Sequence, residues 1–480
     1  MRSKTLGSIF KKRNTAFLFL LTSLFACSKS SDNNNNTSTT ITAFSFQQSS
    51  NSIPVSSTAA ISGTTINIFL PPNTNPNALV ASFTLSDSSI VRVGGIAQQT
   101  GVTPNDFSSP VTFDVTQKNG GTISYTVSLT TGISAIDQAA TAFLQTYNIP
   151  GMSLAITLNG KLVYAQAYGK ADVENNIGAS PNNLFRVSSL SKQITSAAIM
   201  KLMDQGKINM TDKVFGAGAI LGTDFGTQPY GNGIANITID DLLHHTSGGW
   251  PDDNTDPLGK NPSMGVNQII SWGIDNVPLL DTVPGRSYYY SHFGYSILGR
   301  VIEKITGMPY TQAVQTLILQ PSNITDMAIA GNTVADKLPN EVKYYDNTGD
   351  GNDPYAFDIN RSDAPNGWIA SATDMAKFLI KVDGVTPDNI LTANALSVMT
   401  SGSAANANYA CGWEINEYNW WHNGNLPGTA TTQARTTQNG NFNYVILTNG
   451  SGSGNYENDL GNIFWNALPE IPSWPSYDLF

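Results

Sequence analysis

Apolar and polar residues change rhythm along this chain. Between residues 41 and 131 they alternate, with Val111, Phe113 and Val115 in one run, Ile123, Tyr125, Val127 and Leu129 in the next, and Asn119-Gly120 between them. Period-two alternation interrupted by Asn-Gly predicts strands joined by a hairpin, and several short strands in one span predict a small β-sandwich. From residue 134 the rhythm lengthens. IDQAATAFLQTYN spaces its apolar residues as one face of a helix, and MSLAITLNGKLVYAQAYG reads as a hairpin turned at Asn159-Gly160. Towards the C-terminus GWEIN, TATTQARTT and NFNYVILTN read as three more strands, the last two joined around Asn439-Gly440, and NYENDLGNIFWNAL reads as a closing helix. Residues 186 to 400 between them are mostly helix and loop. Strands at both ends of a helical stretch predict an α+β fold: an antiparallel five-stranded sheet flanked by terminal helices, with a helical insertion lobe, preceded by the all-β sandwich. The cleft between sheet and insertion is the expected place for a site.

One helical stretch contains a misfit. In FRVSSLSKQITSAAIMKLMDQG, Ile194, Ala198, Ile199, Leu202 and Met203 recur at helical spacing, Ser188 or Ser189 is placed to cap the start, and Gly206 to end it. Lys192 falls in the first turn, where unpaired backbone N–H groups disfavour a cation by roughly 0.3–1 kcal/mol. Ser189 and Lys192, three apart, share a face. A serine hydroxyl is a weak nucleophile until a base takes its proton, and a helix end that repels a cation also favours the neutral amine that can be that base. The bland reading is a cap serine followed by a solvated lysine; S-x-x-K recurs at Ser8 to Lys11 without meaning.

Two later segments supply context. PGRSYYYSHFGYSILG puts Tyr290 and His292 just before a predicted helix, and WWHNGNLPG puts His422, Asn423 and Gly424 where a strand should begin. In this order, S-x-x-K, the tyrosine motif and H-x-G resemble the penicillin-recognising serine hydrolases, in the β-lactamase-related branch that holds class C β-lactamases, DD-peptidases, esterases and D-amino-acid peptidases. ITIDDLLHHTSG and NGWIASATDMAKFL are also of a kind seen there, and the resemblance covers roughly residues 135 to 470. It implies Ser189 as nucleophile, with Lys192 and Tyr290 sharing its deprotonation and the later proton delivery. The oxyanion would lie between the backbone N–H groups of Ser189 and Asn425. His292, His422, Asn423 and Gly424 would contact substrate, Gly424 letting an extended substrate approach the strand edge. Neither metal nor organic cofactor is implied. Tyr288, Tyr289 and Tyr290 form an aromatic run from which the motif alone singles out the third.

Two departures bear on substrate. His292 stands where many relatives have asparagine, and His422 where β-lactamases and transpeptidases have a lysine that helps hold a carboxylate. A histidine is mostly uncharged at neutral pH, so anion binding should be weaker, which moves weight towards esters, amides or amino-terminal D-residues. If His422 must be protonated to hold an anion, activity should fall above its pKa and the pH profile should be bell-shaped.

The remaining features bound the reading. A chain of 480 residues is long for one domain, and with a net charge of −10 it should not seek nucleic acid. The N-terminus has Arg2, Lys4, Lys11, Lys12 and Arg13, then AFLFLLTSLFA, too short for a membrane span of about 20 residues and shaped like a secretion signal. Leu24-Phe25-Ala26-Cys27 resembles a bacterial lipobox, which implies lipidation of Cys27 and attachment to a membrane of the cell envelope. The expected layout is a signal peptide at 1–26, a polar tether at 27–40, a sandwich at 41–131 whose texture resembles immunoglobulin-like modules, and the hydrolase at 134–480. Cys411 is left without a disulfide partner, and no thiol chemistry is expected of it. His244-His245 reads as a structural turn, with no H-E-x-x-H spacing in the chain. Asp346, Asp350 and Gly351 fit an EF-hand loop in part, but Thr348 and Phe357 stand where ligands belong, so a polar loop is expected. Adjacent Trp420 and Trp421 would face opposite sides of a strand, so at most one lines the pocket. The expected function is a serine hydrolase acting on an ester or amide in a small molecule or a peptide, peptidoglycan-derived peptides included. The alternative is a non-catalytic envelope protein that uses the fold to bind peptidoglycan or a partner.

Overall fold

The structure, a computed structural model, describes residues 38–348 and 351–480; Cys27, the signal and most of the tether, and Asp350, lie outside the described residues. In the N-terminal region the alternating runs build two sheets. Ile41–Phe46 and Leu79–Leu85 belong to a four-stranded one, and Thr65–Leu70, Val111–Thr116 and Thr122–Thr131 to a six-stranded one. Phe44 and Phe46 from the first share a core with Phe113, Val115, Tyr125 and Val127 from the second. The rings of Phe44 and Phe113 meet edge to face at 5.2 Å. Thr122–Thr131 pairs in parallel with Thr65–Leu70 and antiparallel with Val111–Thr116.

The larger part of the chain runs α1 (Ser134–Tyr147), β1 (Gly151–Leu158), β2 (Lys161–Asp172), α2 (Ser191–Asp204), α3 (His292–Thr306), α4 (Ala372–Val382), β3 (Asn419–Leu426), β4 (Thr429–Thr436), β5 (Phe442–Thr448) and α5 (Tyr456–Ala467). The long strands lie in the order β2-β1-β5-β4-β3, all antiparallel. Two-residue strands, Ile177–Gly178 and Glu414–Ile415, border them, so the sheet has seven strands rather than the five expected. Both faces are covered. Met152, Leu154 and Ile156 of β1 with Tyr444 and Ile446 of β5 pack against α1 and α5, while Ala155, Val445 and Leu447 point the other way, towards α2 and α4. That strict alternation is the period of a pleated strand, and it explains why β5 is buried along its whole length.

Two details at the margin of the sheet shape the site. Glu414 and Ile415 pair with Trp421 and Trp420, and no further. From His422 to Leu426, β3 therefore has β4 on one side and, among the described residues, an unpaired edge on the other. Helix α2 ends as expected: Gly206, at φ +68°, donates its N–H to Met203, and Lys207 to Leu202, which satisfies two of the last carbonyls. Its start differs from expectation, because neither Ser188 nor Ser189 caps it. Residues 188–190 form a 3-10 turn that runs directly into α2, and no side chain caps either segment.

Candidate active site

The turn before α2 is held from three sides. Val187 donates its N–H to the Trp368 carbonyl, its own carbonyl accepts from Thr431 Oγ1 at 3.1 Å, and Ser188 Oγ donates to the Asn425 carbonyl at 2.9 Å. Ser188 adopts φ +52°, a left-handed conformation that a non-glycine residue keeps only when its surroundings enforce it. This brings Ser189 to the unpaired edge of β3, at the wall of a cavity of about 460 Å³. Tyr290, His292, His422, Asn423, Gly424 and Asn425 line the same cavity, so residues from three distant segments meet as the sequence motifs require.

Lys192 is fully buried beneath Ser189. Its Nζ lies 3.1 Å from Ser189 Oγ, 3.2 Å from the Pro365 carbonyl and 3.4 Å from Asn366 Oδ1. Burial lowers its pKa to about 7, against the pull of Asp252 and Asp256, which favour the charged form. The cause is thus the loss of water around the amine rather than the helix end that the sequence suggested. A neutral amine here keeps two N–H donors for Pro365 and Asn366 and turns its lone pair to the serine hydroxyl. Tyr290 differs: burial raises its phenol pKa far above the ordinary value, although the Ser189 hydroxyl works in the opposite sense. At neutral pH it is a neutral phenol, with its ring face 4.9 Å from Lys192 Nζ.

The Tyr290 segment is positioned by the histidine turn, which is structural as expected. His245, at φ +58°, accepts the Tyr289 N–H at its carbonyl and the Ser291 N–H at Nδ1, and its ring lies 4.4 Å from that of Tyr290. The proton positions along this side then follow. Because His245 Nδ1 accepts, its Nε2–H donates to the Tyr409 oxygen at 3.0 Å; Tyr409 O–H donates to His422 Nε2 at 3.2 Å; and His422 Nδ1–H donates to the Asn423 carbonyl at 2.5 Å. Both imidazoles are neutral in this chain. Burial, with the Lys192 charge next, lowers His422 to about 3 and drives His245 well below its ordinary value. The bell-shaped profile expected from His422 therefore has no basis in the neutral range.

Gly424 also departs from its expected use. A Cβ there would meet the Thr431 hydroxyl, Val187 O at 2.9 Å and Ser188 Cβ at 3.0 Å, so the missing side chain makes room for the protein's own turn rather than for substrate. The Asn425 carbonyl faces Ser188, and in a strand the N–H of the same residue lies on the same edge, so the Asn425 N–H also faces the cleft. Its side chain donates to Glu457 Oε1 at 2.9 Å. His292 is the first residue of α3 rather than a residue before it, with Ser291 as cap. None of Trp413, Trp420 and Trp421 lines the cavity: Trp413 is buried, Trp420 stacks on Arg435 at 4.3 Å, and Trp421 packs on the terminal-helix side.

Three residues of the site were absent from the sequence reading. Asn366 Oδ1 lies 3.3 Å from Ser189 Oγ and 3.4 Å from Lys192 Nζ, and the residue is almost fully buried; its signal was the Asn-Gly that opens NGWIASATDMAKFL. Tyr409 joins the two histidines. Asp252 lies with Oδ1 3.1 Å from His292 Nδ1, and its backbone N–H donates to the Tyr290 carbonyl. Nothing in the sequence around Tyr409 or Asp252 marks them.

A helix that presents Ser189 and Lys192 beside an antiparallel sheet edge defines the class: the chain belongs to the beta-lactamase family, whose model matches residues 136–464. Residues 41–129 match the model described as "SGBP, N-terminal". The protein flp of Staphylococcus aureus strain N315 is 27% identical over 325 residues, covering 65% of this chain and 62% of that one, so the match spans just over three fifths of the relative's length. Among solved structures, the D-amino acid amidase of Ochrobactrum anthropi SV3 superposes with a TM-score of 0.58 at 20% identity, covering 71% of this chain and 99% of that one. The hydrolase EstCE1, described as having promiscuous acyltransferase activity, gives 0.57 at 20% identity over 69% and 99%. At such identities these two likenesses establish the fold.

Proposed function

We propose that this protein is a serine hydrolase that cleaves an ester or amide through an acyl-Ser189 intermediate. The observation behind it is the buried Lys192 amine, 3.1 Å from Ser189 Oγ with its pKa lowered to about 7. Neutral Lys192 takes the hydroxyl proton as Ser189 attacks the carbonyl. The oxyanion then sits between the Ser189 and Asn425 N–H groups, an arrangement worth about 3 kcal/mol per donor. Tyr290, a neutral phenol, passes the proton to the leaving group. Water hydrolyses the acyl-enzyme with Lys192 as base, and Asn366 holds the lysine and the serine in register throughout.

The lining favours substrates without a carboxylate at the reacting end. His422 is neutral, both its nitrogens are engaged by Tyr409 and Asn423, and among the described residues no lysine or arginine lines the cavity. We place the protein at the bacterial cell envelope through a lipid on Cys27, with the N-terminal β region as spacer or binding module and peptidoglycan-derived peptides among the candidate substrates. A fluorophosphonate should label wild type at Ser189, and p-nitrophenyl butyrate should be turned over by wild type but not by folded Ser189→Ala. A folded wild type that neither labels nor turns over would leave the non-catalytic binder as the reading.

A further inference from the structure

Beside Ser189 lies a group of acceptors with too few donors. His292 Nδ1 is 3.1 Å from Asp252 Oδ1 and 3.7 Å from Asp256 Oδ2. One ligating atom from each of the three residues lies within 4.8 Å of the others. Burial, with the Lys192 charge next, lowers the His292 pKa to about 4, so the ring is neutral; Nδ1–H donates to Asp252, which leaves Nε2 a bare acceptor. That Nε2 is buried without a hydrogen-bond partner. Asp256 stands close by with its side chain 8% exposed: one oxygen accepts the Leu258 N–H at 2.9 Å, the other faces His292 Nδ1 at 3.7 Å without a hydrogen bond among the described residues, and burial raises the carboxyl to about 7, so that a cation beside it would be what keeps it charged. Buried acceptors are nearly always satisfied, so the partnerless His292 Nε2, with an unbonded Asp256 oxygen in the same cluster at a cavity wall, marks a place where a donor belongs.

The surroundings give the sign of that donor. Asp252 and His292 line both the Ser189 cavity and an adjoining one of about 520 Å³. The two cavities also present Asp253, Asp256, Asp346, Glu414 and Glu457, and among the described residues no lysine or arginine lines either. A cleft lined by one sign of charge concentrates the opposite one. Between the two common cations, the imidazole decides. The nitrogen that faces the carboxylates holds a proton, which blocks a metal ion there but leaves the carboxylate oxygens open to N–H groups. An alkylammonium has three donors and no acceptor.

We infer that Asp252 and Asp256 seat an ammonium group of the substrate, so that the preferred acyl donors are cationic esters or amides bearing a free amine near the scissile carbonyl. This rests on the serine-hydrolase reading and narrows its substrate class.

The test compares the D- and L-alanine p-nitrobenzyl esters with their N-acetyl and N-succinyl counterparts, which change the amine to a neutral or an anionic group. Wild type should favour the free amine over the N-acetyl ester by tenfold or more in kcat/KM and disfavour the N-succinyl ester. Asp252→Asn should cut that ratio about tenfold, and Asp252→Glu should restore part of it. Asp252 is 43% exposed in its side chain, so this variant is chosen over the buried Asp256, and near-UV circular dichroism checks its fold. Ratios near one in wild type, or an equal ratio in Asp252→Asn, overturn the inference while p-nitrophenyl butyrate turnover keeps the serine reading. Stimulation of butyrate turnover by Mg²⁺, Ca²⁺ or Zn²⁺, reversed by EDTA and lost in Asp252→Asn, would make the cluster a metal site and also overturn it. Loss of butyrate turnover and of fluorophosphonate labelling together would remove both readings.

Discussion

Lys192 shows how one residue's placement and its reactivity can have different causes. Its position in the first turn of α2 suggested a cation repelled by the helix end, an effect of roughly 0.3–1 kcal/mol. Complete burial is the larger force and brings the pKa from 10.5 to about 7. If the neutral amine is the base, kcat/KM for a neutral ester should rise through about pH 7, and His422, held near 3, should add no descending limb. Lys192→Met should lower kcat by two to four orders of magnitude. The same shift has a consequence for stability. Between about pH 7 and 10.5 the unfolded chain binds more protons at this lysine than the folded one, so stability rises with pH across that window, by at most about 1.4 kcal/mol per unit. Urea unfolding at pH 7 and 9 should show wild type gaining on Lys192→Met as pH rises; a constant difference would mean that the buried amine is charged throughout. Ser189, Lys192 and Tyr290 were legible because their spacing and order survive in one dimension. Asp252 and Tyr409 were not, since a single carboxylate or phenol arriving from another segment leaves no periodic trace. The neutral state of His422 was illegible for the same reason: it comes from burial and from the Lys192 charge, which distant segments bring to it.

At the level of elements, the site is a contact between the turn at Val187–Ser189 and the edge of β3. The pattern of apolar runs and turn signals showed that β1, β2, β4 and β5 exist, with Asn-Gly pairs locating two of their turns. It could not show that Glu414–Ile415 pairs for two residues and then leaves β3 open, because a strand's end is set by its neighbours rather than by its own sequence. Nor could it distinguish a glycine that admits substrate from one that admits the protein's own backbone. Gly424→Ala separates these. The new methyl would press on Val187 O and Ser188 Cβ, and overpacking of this kind costs roughly 1–3 kcal/mol. Thermal unfolding should register that loss, and fluorophosphonate labelling should slow at least tenfold as Ser188 and Ser189 shift with the turn. Unchanged stability with a raised KM alone would instead return Gly424 to a substrate-contact role.

Across the whole molecule, the N-terminal strands and the larger α+β part have separate cores. The aromatic cluster around Phe44 and Phe113 is built from residues 41–127, whereas the clusters on the two faces of the large sheet begin at Ile133. A hydrogen bond from Ser476 Oγ to the Thr58 carbonyl, 3.3 Å, joins the C-terminal segment to the N-terminal region, and it is exposed. Exposed hydrogen bonds contribute about 1 kcal/mol or less, small beside the burial of either core. The described groups around Ser189 come from residues 187 onward, and no described residue before 187 lines the cavity. A chain starting at residue 132 should therefore fold, keep kcat/KM for p-nitrophenyl butyrate within about twofold of the full chain, and keep its preference between free-amine and N-acetyl esters. If the shortened chain folds but loses turnover, the N-terminal region takes part in the site through contacts beyond this hydrogen bond. If it keeps turnover of small soluble esters but loses it on intact peptidoglycan, that region works as the module that brings the enzyme to an insoluble substrate, which would separate the chemistry of the cleft from the delivery of what it cleaves.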